Sequence, residues 1–146
     1  MTDDTSTFHP RAGWHLWLVG ILGILWNGFG CFDFTMTATR NAAYLEPYPK
    51  EMLAYWFAMP WWMWAFWAVG VFGGVLGSIA LLAKNKLAVP LFAASLLAAA
   101  VSNIIASMDK DAPKMEGTEI IPYVIMGLAA AFLAYAVWQS RRGVLR

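Results

Sequence analysis

The sequence predicts an all-α integral membrane protein: a four-transmembrane-helix bundle with a short interfacial helix between spans 1 and 2. Three observations carry that prediction. Hydrophobic residues make up 60% of the 146 positions and charged residues 13%, against roughly half and a quarter in soluble domains. The charges gather at the chain ends and in short segments that mark where the chain leaves lipid. Between them run four apolar stretches, each close to the ~20 residues a helix needs to cross a hydrocarbon core of ~30 Å.

The first span runs from Trp14 to about Phe34. A polar segment with Asp3, Asp4 and His9 precedes it, without the basic start and small-residue cleavage site of a secretory signal, so the span is read as a retained anchor. Polar residues recur at helical spacing beyond Phe34, and the helix is expected to continue toward Ala43. The connection 35–59 is the longest and holds Pro47 and Pro49. Within it, Lys50 to Met59 is aromatic enough for a short helix at the interface, divided from the second span by Pro60.

The second span is expected over Trp61 to Ala83, the third over Leu87 to Met108 and the fourth over Ile120 to Trp138. Nothing in lipid satisfies a free backbone amide, so all four must be helical. Lys84, Asn85 and Lys86 make a tight turn, and Pro90 fits the first turn of the third helix. Thr118 is placed to cap the fourth. The chain reads as a single membrane domain without internal repeats. Arg11, Lys84, Lys86, Arg141, Arg142 and Arg146 fall on one side, and Arg40, Lys50, Lys110 and Lys114 on the other. That bias puts both termini in the cytoplasm.

Composition also excludes function classes. A net charge of +1 gives no basic face for nucleic acid. Cys31 is the one cysteine, so no intramolecular disulfide forms. His9 and His15 have no partner at ligand spacing, so no metal site is expected, and His15 reads as an interfacial anchor. There is no phosphate-binding glycine loop and no Ser-His-acid set. Neither a cofactor nor enzyme activity is expected.

Five of the nine tryptophans fall between Trp56 and Trp67. An interfacial belt accounts for Trp14, Trp17, Trp56, Trp61, Trp64 and Trp138. Trp62 and Trp67 flank a face of the second span formed by Gly70, Gly73, Gly74 and Gly77, and two readings apply to them: packing, or one wall of a ligand site. The glycines form overlapping small-xxx-small pairs for close helix packing. Gly20, Gly23 and Gly30 in the first span, and Ser95, Ala99, Ser102 and Ala106 in the third, make comparable faces. These suit an internal bundle, a homodimer or a larger membrane complex.

The sharpest candidate is a stripe of Trp26, Gly30, Asp33, Thr37, Arg40 and Tyr44 at three- and four-residue intervals. Asp33 stands where the apolar run ends, and ionisable residues at such depth are paired or functional. Arg40 is two turns on and is expected to neutralise it. That pair is either a structural lock or part of a solute site. Asn27, Ser102, Asn103, Trp62 and Tyr123 fall in the same half of the membrane, away from the termini, so a polar, aromatic-walled pocket opening on that side is expected. Interhelical hydrogen bonding is the alternative, above all for Asn103.

Trp14-His15-Leu16-Trp17, Leu25-Trp26-Asn27, Asp33-Phe34, Met36-Thr37, Thr39-Arg40-Asn41 and Tyr44 resemble a family of small four-helix bacterial inner-membrane proteins. Leu53-Ala54-Tyr55, Pro60-Trp61, the Gly70 to Gly77 run, Ala88-Val89-Pro90 and Ser95-Leu96 extend the resemblance over Trp14 to Ser102. Members often carry an automatic label of sugar transporter. The resemblance implies a bacterial inner membrane and a transport class, with no functional residues to carry over. The resulting expectation is a protein that binds or moves a small polar, sugar-like solute through Trp26, Asn27, Asp33, Thr37, Arg40, Trp62, Trp67, Asn103 and Tyr123. The alternative is an accessory subunit that assembles through its glycine faces.

Overall fold

The structure, a computed structural model, describes residues 10–146; Asp3, Asp4 and His9 lie outside the described residues. It is all-helical: α1 (Trp14–Ala38), α2 (Ala42–Leu45), α3 (Lys50–Ala58), α4 (Trp61–Leu82), α5 (Ala88–Met108) and α6 (Ile121–Arg141). Among the described residues α1, α4, α5 and α6 are long and apolar enough to cross a bilayer. They pack in the spatial order α1, α4, α5, α6, while α1 and α6 are not packed together along their length.

Lipid is as apolar as the helices, so hydrophobicity inserts the spans but does not associate them; close packing must do that. Small residues supply it. On α1, a side chain at Gly20 would run into Leu82 of α4, one at Gly23 into Ser78, and one at Gly30 into Val71. On α4, Gly73 and Gly77 face Leu91, Ser95 and Phe92 of α5. Gly74 turns the other way, toward Asn27 of α1. The glycine run on α4 is therefore split between two neighbours. Gly70 is the loosest of the four, with the Ser95 carbonyl oxygen 4.0 Å from where a Cβ would stand.

The tight core lies at the end of the bundle that carries Trp14 and Arg141, here called the terminal end. Leu16, Leu81, Ala88, Phe92, Phe132 and Ala136 are buried there. Gly143, with φ 73°, turns the chain after α6 and sends Val144 and Leu145 into the same core. The Arg146 amide donates to the Lys84 carbonyl (2.7 Å), and the Lys86 amide donates to the Arg146 carbonyl (2.9 Å). The tail is thereby fastened to the α4–α5 turn.

α1 continues past Phe34 but stops short of Ala43. It ends at Ala38 in a Schellman motif, with the Arg40 amide bonded to the Thr37 carbonyl and the Asn41 amide to the Met36 carbonyl (each 3.0 Å). Arg40 takes the left-handed conformation at φ 54°, a position usually given to glycine. The chain then reverses into α2, whose first turn is capped by the Asn41 side chain accepting from the Tyr44 amide at 3.0 Å. α3 follows Pro49 and stops before Pro60, and the Tyr55 hydroxyl donates to Asp109 at 2.8 Å, tying α3 to the loop after α5. Thr118 does not cap α6 with its side chain; its hydroxyl donates to the Met115 carbonyl (2.8 Å).

Candidate functional site

Away from the terminal end the four spans enclose a cavity of about 540 Å³. Its deep end is the ring pair Phe92 and Phe132, stacked with centroids 5.6 Å apart and planes at 11°. The walls are thin because small residues line them: Gly30 on α1, Gly70 on α4, Ser95, Ala99 and Ser102 on α5, and Ala129 on α6. Trp26, Phe29, Phe66 and Trp67 add aromatic surface, and Ile121, Val124 and Ile125 form the α6 side. The α1 and α6 margins stand apart: Phe29 is 65% exposed and Ile121 48%. The cavity therefore opens sideways, between α1 and α6.

Five of the nine expected site residues come together here: Trp26, Asn27, Asp33, Trp67 and Asn103. Phe34 of α1 meets Trp67 edge-on at 5.3 Å, and Trp67 stacks on Trp64 at 5.6 Å. These contacts hold the indole of Trp67 in place. Trp64 has a packing role as well as a belt position, since its ring meets Phe34 of α1 edge-on at 6.0 Å. Asn27 donates to the Gly23 carbonyl (2.9 Å) and Asn103 to the Ala99 carbonyl (2.8 Å). Both bonds run one turn back along the same helix, so neither amide makes the interhelical hydrogen bond expected of Asn103. Beside the cavity, a bond that does cross between spans is Ser95 Oγ to the Gly70 carbonyl at 2.5 Å. Ser102 Oγ is buried beside the cavity with no partner among the described residues.

The Asp33–Arg40 pair does not form. Asp33 Oδ1 accepts from the Tyr44 hydroxyl at 2.6 Å, and the Arg40 guanidinium lies over the Phe57 ring, 4.4 Å from its centroid. The physical reason is the break in α1: the positive φ at Arg40 turns its side chain off the stripe, while the reversal into α2 brings Tyr44 back. Phe32 packs edge-on against the Tyr44 ring at 5.4 Å. The hydrogen bond to Asp33, with burial and the carboxylate's charge adding to it, pushes the Tyr44 phenol well above the usual tyrosine range. On α3, burial first and then the bond to Asp109 raise the Tyr55 phenol.

Three other expected residues also stand outside the lining. Thr37 is fully buried with its hydroxyl unpartnered. Trp62 stacks edge-on with Phe66 (6.3 Å) outside the cavity, and Tyr123 is 77% exposed.

A second polar cluster joins α1 to α6 at the terminal end. His15 Nδ1 lies 2.5 Å from the Tyr135 hydroxyl, and the Gln139 amide donates to the same hydroxyl at 2.7 Å. Trp138 packs beside the His15 ring at 5.6 Å. His15 is therefore a partnered residue and not a simple interfacial anchor. Its partners are more than a hundred residues away in sequence, and no local pattern points to them.

Comparison with protein-family models, with curated proteins and with solved structures finds no match to this chain. The identity that stands is the coarser one drawn from its spans: a multi-pass membrane protein, with four helices among the described residues long and apolar enough to cross a bilayer.

Proposed function

We propose that the protein holds one small amphipathic molecule in the cavity between its spans, its polar end at Asp33, Asn27, Asn103 and Ser102 and its apolar body against the aromatic walls. The observation that carries this reading is the lining itself: a few polar groups on α1 and α5 in an otherwise apolar cavity of about 540 Å³. That volume falls in the range of small-molecule sites, which are mainly apolar with a few placed polar groups. A sugar-like solute fits less well. Its hydroxyls point in all directions, and each one left unpaired against Phe, Val or Ile costs about 1–3 kcal/mol. The sideways opening between α1 and α6 suits a molecule that arrives from the bilayer. The rival role, an accessory subunit that assembles through its glycine faces, draws no support from α4, whose Gly73, Gly74 and Gly77 are buried against α5 and α1.

Photolabelling of the liposome-reconstituted protein with a diazirine-bearing fatty alcohol tests the reading. Label is expected to saturate at one per chain and to concentrate on Ala99, Ser102, Ile125 and Ala129. Ala99→Phe, which fills the cavity, is expected to remove that label. Unsaturable label on lipid-facing residues, unchanged in Ala99→Phe, refutes the proposal.

A further inference from the structure

We infer that the molecule this cavity selects is an organic cation, an ammonium or guanidinium group on an apolar body. The inference rests on the cavity being a binding site and adds the sign of the ligand's charge. Of the residues lining the cavity, Asp33 alone carries a formal charge. Its hydrogen-bond partner is the neutral phenol of Tyr44, which occupies Oδ1. The nearest cation in sequence, Arg40, is engaged by Phe57. A carboxylate in a membrane span without a positive partner is costly, and such groups face cavities and pair with what enters them.

The remaining groups do not oppose that sign. The Asn103 amide uses one N–H on its own helix, which leaves its carbonyl oxygen as an acceptor, whereas the Asn27 oxygen is packed against Gly74 of α4. Ser102 Oγ, buried and unpartnered, can donate or accept. Aromatic faces attract cations through the ring quadrupole, with tryptophan the strongest, and Trp26, Trp67 and Phe66 line the same space. An anionic head meets the opposite: one like charge and no Lys, Arg or His in the lining. Tyr44 is a positioning residue here, fixing the carboxylate from outside the lining.

Two probes that differ only in charge separate the possibilities: dansylamidoethyl-trimethylammonium and its uncharged 3,3-dimethylbutyl analogue. Binding to the reconstituted full chain is read by energy transfer from tryptophan, with concentrations referred to the membrane phase. Wild type is expected to bind the cation about tenfold or more tighter than the neutral analogue. Asp33→Asn is expected to bring the two within about threefold of one another, chiefly by weakening binding of the cation. Ala99→Phe is expected to lose both. Equal binding of the two probes by wild type, or preference for the neutral one, with both lost in Ala99→Phe, overturns the cation and leaves the cavity reading intact. If Ala99→Phe leaves both unchanged, the cavity reading falls and the cation with it. Should Asp33→Asn fail to fold, the wild-type ratio alone decides.

Discussion

Gly77→Ala puts a methyl carbon 2.9 Å from Cδ1 and 3.0 Å from Cε1 of Phe92, where carbon atoms rest at roughly 3.5–4.0 Å. The ring cannot step aside. Phe92 is 2% exposed and stacked almost parallel on Phe132, so relief requires α4 and α5 to separate or the aromatic pair to tilt. Overpacking of this kind costs about 1–3 kcal/mol, and the better helix propensity of alanine offsets at most ~1 kcal/mol of it. The net expectation is a destabilisation of about 1–2 kcal/mol. Gly70→Ala is the internal control. It lies one face-repeat away on the same helix, but its nearest neighbour would be 4.0 Å off, so it is expected to be neutral or slightly stabilising. Reversible unfolding in bicelles by added SDS, followed by circular dichroism, measures both. Coincident midpoints for the two variants refute the packing argument, because they would mean that the α4–α5 contact yields as freely at Phe92 as it does at Ser95.

The other predictions concern hydrogen bonds and turns. Tyr135→Phe removes the hydroxyl shared by His15 and Gln139. At about 0.6 kcal/mol per interhelical bond, reaching about 1.7, the loss should lower stability by about 1–2 kcal/mol; an unchanged SDS midpoint contradicts it. Tyr44 is held protonated in the fold by Asp33, so its contribution is complete below the unfolded tyrosine value near ~10 and declines as pH rises beyond it. Ultraviolet titration should show the Tyr44-dependent step, identified with Tyr44→Phe, moving to lower pH in Asp33→Asn; no movement contradicts the pairing. Lys84 sits after α4 at φ 56° in the same Schellman geometry as Arg40, with its amide on the Leu81 carbonyl and the Asn85 amide on Ala80. Lys84→Gly is expected to stabilise by up to about 1 kcal/mol, and a lowered melting temperature contradicts the strain.

What the sequence made legible were features with local physical causes. Apolar length fixes the spans, and Pro49 and Pro60 bound α3. Small residues mark where backbones approach. The end of α1 was hidden for an equally physical reason: the left-handed residue that stops it is Arg40 and not glycine, so no stop signal is written there. That one turn decides the fate of the stripe. It removes Arg40 from Asp33 and returns Tyr44 by chain reversal, where a continuous helix would have presented both on one face. The glycines of α4 show a different limit, since one helical face borders two neighbours, and only the third dimension assigns Gly74 to α1 and Gly77 to α5. Trp62 falls outside the cavity for a similar reason, at the edge of the face that Trp67 occupies. The His15–Tyr135 contact was beyond reach altogether, because His15 reads as an interfacial anchor and its partner lies 120 residues away, unseen until α6 is laid beside α1.

An open cavity in a small bundle needs a reason not to collapse. In water, apolar walls would close on one another; in a bilayer, lipid or ligand fills the space at little cost, and geometry alone sets how far helices stand apart. Here the spacing follows from where bulk is placed. At the terminal end α1 and α6 are drawn together by His15, Tyr135 and Gln139. Just beyond, the Phe92–Phe132 pair fills the width of the bundle and keeps the spans from closing further. Past that wedge, glycine, alanine and serine leave the interior empty, while Trp67 is fixed by Phe34 on the α1 side. α1 and α6 are not packed together beyond their joined ends, and Asp33, near the far end of α1, lines the cavity left there. On the proposed reading, a ligand from the bilayer would meet the apolar margins of Phe29 and Ile121 before the carboxylate. Partition into lipid would then come first and charge selection second, the order that a hydrophobic cation requires.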